Sequence, residues 1–262
     1  MRVGYCVPIN WQLASFRLRV AIPAKHLGCD YVIGEPGNPS FFFKNGDVAL
    51  ASRLRGVVYD VVNDHFHGAQ ARDYTGMCAV ADVVTCASEV MAEKIRDATG
   101  IDATVIDDPY ENAEAVPACD GDQVLWFGHA ANAGSLRPYA NLASLVICSN
   151  LPGAVWWTRD SEAKCLSECA VVLMTGSNEG ASSNRIVKAI RAGRFVVTPG
   201  GIPSWEQFKD FIWLGDVHKG IEWALNNRDE ACQKVKAGQE WVRERFSPST
   251  IGKQWASLFG SI

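Results

Sequence analysis

The sequence has no apolar run long enough to cross a membrane, and its first residues, MRVGYCVPI, lack the hydrophobic stretch and cleavage site of a secretory signal. We therefore expect neither a membrane span nor export, and we predict a cytoplasmic protein. The 262 residues are 48% hydrophobic and 21% charged, which is the composition of an ordinary globular protein.

The sequence also has no CxxC pair, although it contains nine cysteines. Most of them stand inside apolar runs, as Cys6, Cys86 and Cys148 do, where a free thiol packs as a small hydrophobic group. Cys165 and Cys169 are four residues apart on a predicted helix. These patterns exclude the usual zinc-ligand spacings and favour a reducing compartment.

A general excess of positive charge is missing as well, because the net charge is −4. This balance gives the whole chain no attraction to nucleic acid. Residues 1–72, however, hold eight Lys and Arg against five Asp and Glu, a local charge of +3 that leaves −7 for the remainder.

Short apolar runs alternate with helical patterns along the chain. Hydrophobic strands that are each followed by a helix are typical of parallel sheets covered on both faces. The predicted strands lie in RVGYCV, YVIG, GVVYDVV, DVVTCA and ATVID, and then in QVLWFG, SLVICS, AVWWT, AVVLMTG, RFVVTP and FIWLG. The predicted helices cover Ser15–Leu27, Ala69–Ala79, Ser88–Thr99, Glu162–Cys169 and Ser183–Ala192, followed by RDEACQKVKAGQEWVRERF and SPSTIGKQWASLF.

An acidic, proline-containing segment without apolar periodicity, Asp107–Asp122, separates the two halves. Each half is large enough for a doubly wound α/β unit. The sequence therefore predicts Rossmann-like domains at 1–110 and 123–245, a linker at 111–122 and a C-terminal helix at 246–262. Ligands of open α/β sheets bind beyond the carboxyl ends of the strands, so we expect the site in a cleft between the domains.

The stretch SSNRIVKAIRAGRFVVTPGG, residues 182–201, places Asn184 and Arg185 at the start of a predicted helix that leads into a buried strand. A helix N-terminus presents unpaired N–H groups and a partial positive charge, which suits a phosphate group. The alternative is that Ser182 or Ser183 only caps an ordinary core helix.

In their order and spacing, several blocks of the sequence resemble the GT-B glycosyltransferases, in particular the family-4-like enzymes of a short bacterial and phage subgroup. The blocks are ASFRLRVAIPAKHL, VVYDVVNDHF, AVADVVTCASEVMAEKI, VIDDPYE, VLWFGHAANAGSL, SSNRIVKAIRAGRFVVTPGGIPSWEQF and SPSTIGKQW. The resemblance implies an α/β protein of two Rossmann-like domains facing a cleft, with a C-terminal helix that crosses back to the N-terminal domain. It also implies transfer of a sugar from a nucleotide-diphosphate sugar, with a UDP-sugar as the expected co-substrate and no prosthetic group.

The resemblance assigns donor binding to the second half of the chain. The implied donor-binding residues are Gly128, His129, Asn132, Thr175, Glu179, Ser183, Asn184, Arg185 and Lys188. Typical members carry a Glu-x7-Glu motif, but residue 187 is Val where the second Glu belongs, and the usual Arg and Lys after the first strand of the donor domain are not evident. This departure leaves a non-catalytic nucleotide- or sugar-binding module as the alternative.

The first half is expected to bind the acceptor. Asp60, Asp64 and His65 are candidate catalytic bases if the enzyme inverts stereochemistry, although Asp60 has an equal claim to a pairing role in the core. The expected acceptor-binding residues are Ser15, Arg17, Arg19 and His67. Because Arg17 and Arg19 lie two residues apart on a helix, they cannot share one narrow face. We expect one to point along the cleft and the other to face solvent or the neighbouring domain, with two solvated arginines as the alternative.

The sequence is compatible with more than one class of acceptor. A saccharide or a lipid-linked sugar is the common acceptor in the family. A basic first domain (Arg17, Arg19, Lys25, Lys44, Arg53, Arg55 and Arg72) would also suit 5-hydroxymethylcytosine in phage DNA. The sequence DGD at Asp120–Asp122 resembles the metal-binding DxD motif of the other major glycosyltransferase fold, but it lies in the predicted linker. We expect a polar turn there and no metal.

Overall fold

Two parallel sheets organise the chain. The computed structural model describes residues 1–7, 11–44, 46–176 and 182–262. The described residues within Met1–Glu111 and Arg245–Ile262 form one compact unit, with Ser182, and those within Asn112–Glu179 and Ser183–Glu244 form the other. Of the segment predicted as a linker, Glu111 groups with the first unit and residues 112–122 group with the second.

The first sheet has the strand order β2-β1-β3-β4-β5-β6, and every pair of neighbours is parallel. Its strands are β1 (Arg2–Tyr5), β2 (Asp30–Ile33), β3 (Ser40–Phe43), β4 (Val57–Val61), β5 (Val83–Cys86) and β6 (Thr104–Val105). The two central strands β3 and β4 are buried along their whole length, which is why they consist almost entirely of apolar residues.

The second sheet has the order β11-β10-β9-β7-β8 and is likewise parallel. Its strands are β7 (Val124–Phe127), β8 (Leu145–Cys148), β9 (Val171–Leu173), β10 (Phe195–Thr198) and β11 (Trp213–Leu214). Counted from its own first strand, each sheet begins with the order 2-1-3-4-5. The winding direction therefore reverses between β1 and β3 and between β7 and β9, and such reversals are where open α/β sheets bind ligands.

Helices connect the strands, and several of these helices are capped at their N-terminus by a polar side chain. Ser88 Oγ accepts a hydrogen bond from Met91 N, and Thr158 forms a reciprocal capping box with Ser161. The helices are α1 (Ala14–Phe16), α2 (Ile22–Lys25), α3 (Val48–Ala51), α4 (Ala71–Val80), α5 (Glu89–Thr99), α6 (Arg159–Glu168), α7 (Asn184–Arg191), α8 (Pro203–Glu206), α9 (Val217–Asn226), α10 (Arg228–Arg245) and α11 (Pro248–Gly260). A π-helical segment, Arg17–Ala21, joins α1 to α2, and a 3-10 helix, Ala130–Tyr139, follows β7.

The last helix, α11, completes the core of the first unit. Its Trp255 and Phe259 are buried beside Tyr5 and Phe41, with ring centroids 5.3 Å apart for Trp255 and Phe41 and 6.3 Å apart for Phe259 and Tyr5. The prediction that the C-terminal helix returns to the N-terminal domain is thus confirmed.

Most predicted strands and helices are confirmed, with two exceptions among the strands. The strand β3 was not predicted, although three consecutive phenylalanines form most of it. The predicted strand AVWWT is wrong, because within it only Val155 makes a bridge, to Cys148, while Trp156 stays 65% exposed. Among the described residues, no helix has the length and hydrophobicity that a membrane crossing requires.

Candidate functional site

The clearest candidate site lies where β7 and β9 end, at the reversal point of the second sheet. Gly128 and His129 directly follow β7, and Thr175 is the second residue after β9. Because the two strands are parallel neighbours, their carboxyl ends open at the same edge of the sheet. Three of the predicted donor-binding residues are therefore brought to one edge.

Arg185, from the first turn of α7, bridges the two strand ends. Its Nη1 donates to the carbonyl oxygen of Phe127 at 3.0 Å, and its Nη2 donates to that of Thr175 at 3.3 Å. Burial lowers the pKa of the Arg185 guanidinium to about 10, against an opposing effect of Glu162. The group remains charged at neutral pH, and within the described part of the chain no carboxylate forms an ion pair with it.

Gly128 is required beside this guanidinium. A Cβ atom at this position would lie 2.8 Å from Arg185 Nη1 and 3.2 Å from the indole of Trp126. A side chain at this position would have to displace the Arg185 guanidinium, so the glycine allows the arginine to lie against the main chain that follows β7.

A hydrogen-bond network that the sequence did not reveal fixes Thr175. The Thr175 hydroxyl accepts from Trp126 Nε1 at 2.9 Å and lies 2.6 Å from Ser135 Oγ. Ser135 in turn donates to the carbonyl oxygen of Asn132. The only sequence signal was a tryptophan, with its indole N–H donor, inside the apolar strand β7. Thr175 is connected to Asn132 through Ser135, and these two partners lie far from Thr175 in the sequence.

The remaining predicted donor residues divide into three groups. Ser183 and Asn184 begin α7, with Ser183 at the N-cap position, and His129 caps the 3-10 helix, its Nδ1 accepting from Ala131 N at 3.2 Å. Lys188 lies one turn farther along α7 and donates to Glu162 Oε1 at 2.7 Å. Glu179 lies outside the described residues.

The ion pair of Lys188 belongs to a buried chain of contacts. Glu162 is buried and accepts from Lys188 with one carboxylate oxygen and from Trp157 Nε1, at 2.7 Å, with the other. Most of the Lys188 charge is therefore balanced by the protein itself, in contrast to that of Arg185.

In the first unit, Asp60 and Arg19 form a buried ion pair. Arg19 donates to both carboxylate oxygens of Asp60, at 2.9 and 2.5 Å, and Asp60 also accepts from Thr85 Oγ1 at 2.7 Å. Arg19 reaches the carbonyl oxygen of Ile106 and Asp108 as well. Since Asp60 has no exposed surface, the core-pairing alternative describes it, and neither residue is placed to touch an acceptor.

Arg17 is also buried, contrary to both expectations for this arginine. It forms a two-pronged ion pair with Glu111, at 2.6 and 2.8 Å, and its Nη1 donates to the carbonyl oxygens of Trp11 and Gln12. Arg17 and Arg19 thus have different partners, as their spacing predicted, but both guanidinium groups bind residues inside the protein. Sequence spacing cannot reveal partners that lie 94 and 41 residues away.

Three of the other predicted residues of the first unit follow the end of β4, namely Asp64, His65 and His67, and the fourth, Ser15, lies in α1 after β1. Asp64 accepts from Lys94 Nζ at 2.9 Å, and His65 packs edge-to-face on Tyr74 with centroids 5.2 Å apart. Burial raises the pKa of the Asp64 carboxyl, but the hydrogen bond and charge of Lys94 outweigh it, so the pKa is lowered overall. His67 is exposed, and Ser15 is half-buried in α1.

The basic residues of the first unit do not form one surface. Arg17 and Arg19 are paired internally. Lys25 ends α2 ahead of β2, and Arg53 and Arg55 lead into β4, so these three exposed residues lie toward the amino ends of the strands. That edge is opposite to the one where ligands of such sheets bind.

Lys44, another basic residue of the first unit, has an unusual backbone conformation. It directly follows β3 and has a φ of 57°, a conformation that is rare outside glycine. Burial lowers the pKa of its ammonium group, and Tyr59 Oη donates to its carbonyl oxygen at 2.6 Å. It is half-buried at the carboxyl edge, at the reversal point of the first sheet.

The DGD turn is tied to the protein through Asp122, which accepts from Arg228 at 3.0 Å. Within the ranges that the structure describes, no three His, Cys, Asp or Glu side chains come together as a metal site would require.

Sequence comparison matches the chain to no protein family and to no curated protein. Solved structures do match. Anabaena HepE in complex with UDP and glucose is 11% identical, with a TM-score of 0.76 and full coverage of both chains. TarM is 15% identical over 86% of this chain, with a TM-score of 0.63, and this chain covers 55% of TarM. An alpha-glucosyltransferase in complex with UDP-glucose and DNA containing an abasic site is 7% identical, with a TM-score of 0.54 and coverage of 99% and 98%. At these identities the likeness shows the fold, and the predicted GT-B fold is confirmed.

Proposed function

We propose that this chain is a nucleotide-sugar glycosyltransferase that binds a UDP-sugar at the carboxyl ends of β7 and β9. The observation that carries the proposal is Arg185, a charged guanidinium held across both strand ends by neutral carbonyl oxygens. A diphosphate supplies the missing negative charge, and the forked guanidinium matches its oxygens. The N–H groups at the start of α7, which begins at Asn184, support the same role.

In this reaction the bond between the anomeric carbon and the diphosphate oxygen breaks, and a bond from the acceptor oxygen to that carbon forms. UDP leaves, and Arg185 stabilises the charge that develops on it. The acceptor proton passes to a base or to the departing phosphate. Asp64 and His65 remain the proposed bases for an inverting reaction, because Asp60 is inaccessible.

Structures of HepE and of the alpha-glucosyltransferase have been solved in complex with UDP-glucose, which supports a UDP-sugar as donor. For the acceptor we propose a saccharide. A DNA acceptor draws much of its affinity from phosphate contacts, and most of the basic residues that suggested DNA are either paired internally or placed toward the amino ends of the strands.

The test is calorimetric titration with UDP, UDP-glucose and GDP, followed by incubation with radiolabelled UDP-glucose, with and without oligosaccharides. We expect uridine nucleotides to bind and the donor to be cleaved, slowly by water and faster by an acceptor. Binding without any turnover would identify the non-catalytic module, and absence of nucleotide binding would contradict both.

A further inference from the structure

We infer that Lys44 binds a negatively charged group of the acceptor, so that the acceptor saccharide carries a carboxylate or a phosphate. This inference rests on the proposed function, because it names the chemical class of the acceptor in that reaction. Lys44 directly follows β3, and β3 pairs with β1 in parallel, so the carboxyl ends of both strands open at the same edge of the first sheet. The winding of this sheet reverses between them, which is where such a sheet binds ligands.

The backbone of Lys44 is held in a conformation that favours glycine. A φ of 57° brings the Cβ atom of any other residue close to its own main chain, at a cost in free energy. Two hydrogen bonds hold the residue there. Its N–H donates to the carbonyl oxygen of Asp60 at 3.3 Å, and Tyr59 Oη donates to the carbonyl oxygen of Lys44 at 2.6 Å. Because backbone strain of this kind is concentrated at functional sites, the lysine indicates a use for its side chain.

The ammonium group of Lys44 forms no ion pair with any carboxylate in the described part of the chain. Its Nζ lies 5.7 Å from the centroid of the Phe43 ring. A cation–π contact stabilises an ammonium group but leaves its charge unbalanced. Burial lowers the pKa of this group, and no described neighbour contributes an opposing negative charge. An anion on a ligand would supply the missing partner.

Other cations of the first unit differ from Lys44 in this respect. Arg19 pairs with Asp60, and Lys94 pairs with Asp64 at 2.9 Å. Lys25 is exposed, so water solvates its charge. Lys44 is half-buried and lacks both kinds of compensation, which leaves its charge available to a ligand at the carboxyl edge of the sheet.

A single cation suits one anionic substituent of a saccharide. Duplex DNA is bound through several cations that contact successive phosphates. Most other basic residues of the first unit are paired internally or lie toward the amino ends of the strands, as Arg19 and Lys25 do respectively. The arrangement therefore favours an acidic or phosphorylated saccharide over DNA.

The test applies the full-length protein, with and without UDP, to an array of neutral, uronic-acid-containing and phosphorylated oligosaccharides. Calorimetric titration then compares each bound anionic saccharide with its neutral counterpart. We expect the anionic saccharide to bind more tightly, and its affinity to fall about tenfold in Lys44→Met and to be retained in Lys44→Arg. The matched control Lys25→Met removes an exposed charge at the opposite edge and should bind like wild type. UDP affinity should be unchanged in all three variants, and the two anionic classes of the array distinguish a carboxylate from a phosphate.

A stability measurement separates ligand binding from a structural role of the lysine. Lys44→Gly should be at least as stable in urea as wild type, because glycine adopts this φ freely and the half-buried charge is removed. The same variant should lose the preference for anionic saccharides.

The inference is overturned if Lys44→Gly unfolds at a markedly lower urea concentration, if the array shows binding of neutral saccharides only or of none, or if Lys44→Met binds anionic saccharides like wild type. Binding of duplex DNA through Lys44 in place of saccharides would overturn it as well. Binding of an anionic saccharide at Lys44 by a protein that neither binds nor cleaves UDP-glucose would leave the anion site standing and remove the proposed function. Transfer of sugar to neutral acceptors alone would do the reverse.

Discussion

Replacing Arg185 with methionine should separate nucleotide affinity from stability. The variant keeps an unbranched side chain and removes the charge that bridges β7 and β9. A hydrogen bond to a charged group contributes about 1.5–3 kcal/mol. The dissociation constant of UDP should therefore rise about 10- to 150-fold, as measured by calorimetric titration.

The same substitution should change the free energy of unfolding by less than about 1 kcal/mol, because two effects oppose each other. Burial lowers the pKa of Arg185 from its ordinary value to about 10, so the folded state disfavours the charged form. This penalty is present at every pH below that value, including pH 7, and the substitution removes it. The lost hydrogen bonds to the carbonyl oxygens of Phe127 and Thr175 are 3.0 and 3.3 Å long, so each costs about 1.5 kcal/mol in the other direction, the low end of the range for a charged donor.

The matched control is Arg191→Met, at the other end of α7. Arg191 is buried and donates to Glu114 at 2.5 Å, and within the described part of the chain its hydrogen-bond partners do not include the residues at the ends of β7 and β9 that Arg185 contacts. We expect it to lose about 1–3 kcal/mol of stability and to bind UDP like wild type. The reasoning is refuted if R185M binds UDP with wild-type affinity, or if both variants lose affinity equally.

Three further predictions address other parts of the chain. Gly128→Ala should weaken UDP binding about tenfold by displacing Arg185, whereas Gly134→Ala, where a Cβ meets no atom within 4 Å, should not; equal affinities in a titration would be evidence against the role of Gly128. Asp60→Asn should lower the free energy of unfolding in urea by about 3 kcal/mol because it leaves Arg19 partly unpaired in the core; a variant of normal stability that has lost transfer activity would instead favour a catalytic Asp60. Transfer should survive dialysis against EDTA, since Asp122 pairs with Arg228; loss of activity with rescue by manganese would contradict this.

The fold was largely predictable because its signals are local. A buried parallel strand is a short apolar run, and a helix start shows its cap, as Ser88 does for α5. The wrong strand at AVWWT shows the limit of that reasoning. An apolar run forms a strand only where its main chain pairs along a neighbouring strand, and here Val155 alone bridges to the edge strand β8 while Trp156 stays exposed.

The site was less predictable because the fate of a charge depends on distant partners. Arg17, Arg19 and Arg185 look alike in the sequence, as basic residues near helix starts. Arg17 pairs with Glu111 and Arg19 pairs with Asp60, whereas Arg185 donates, within the described part of the chain, to the carbonyl oxygens of Phe127 and Thr175. The distinction that matters for anion binding is thus set by pairing across the fold, which no local pattern encodes.

The position of α11 constrains how this protein is made. The aromatic core of the first unit requires Trp255 and Phe259, which a ribosome supplies only after it has translated the whole second unit. Most proteins complete their N-terminal domain first during synthesis. In this chain we expect the second unit to fold before the first is complete. Until α11 has been synthesised, the apolar surface of the first unit beside β1 and β3 remains uncovered. A chain that stops after residue 244 should therefore retain a folded second unit and expose the apolar side of the first to chaperones and proteases.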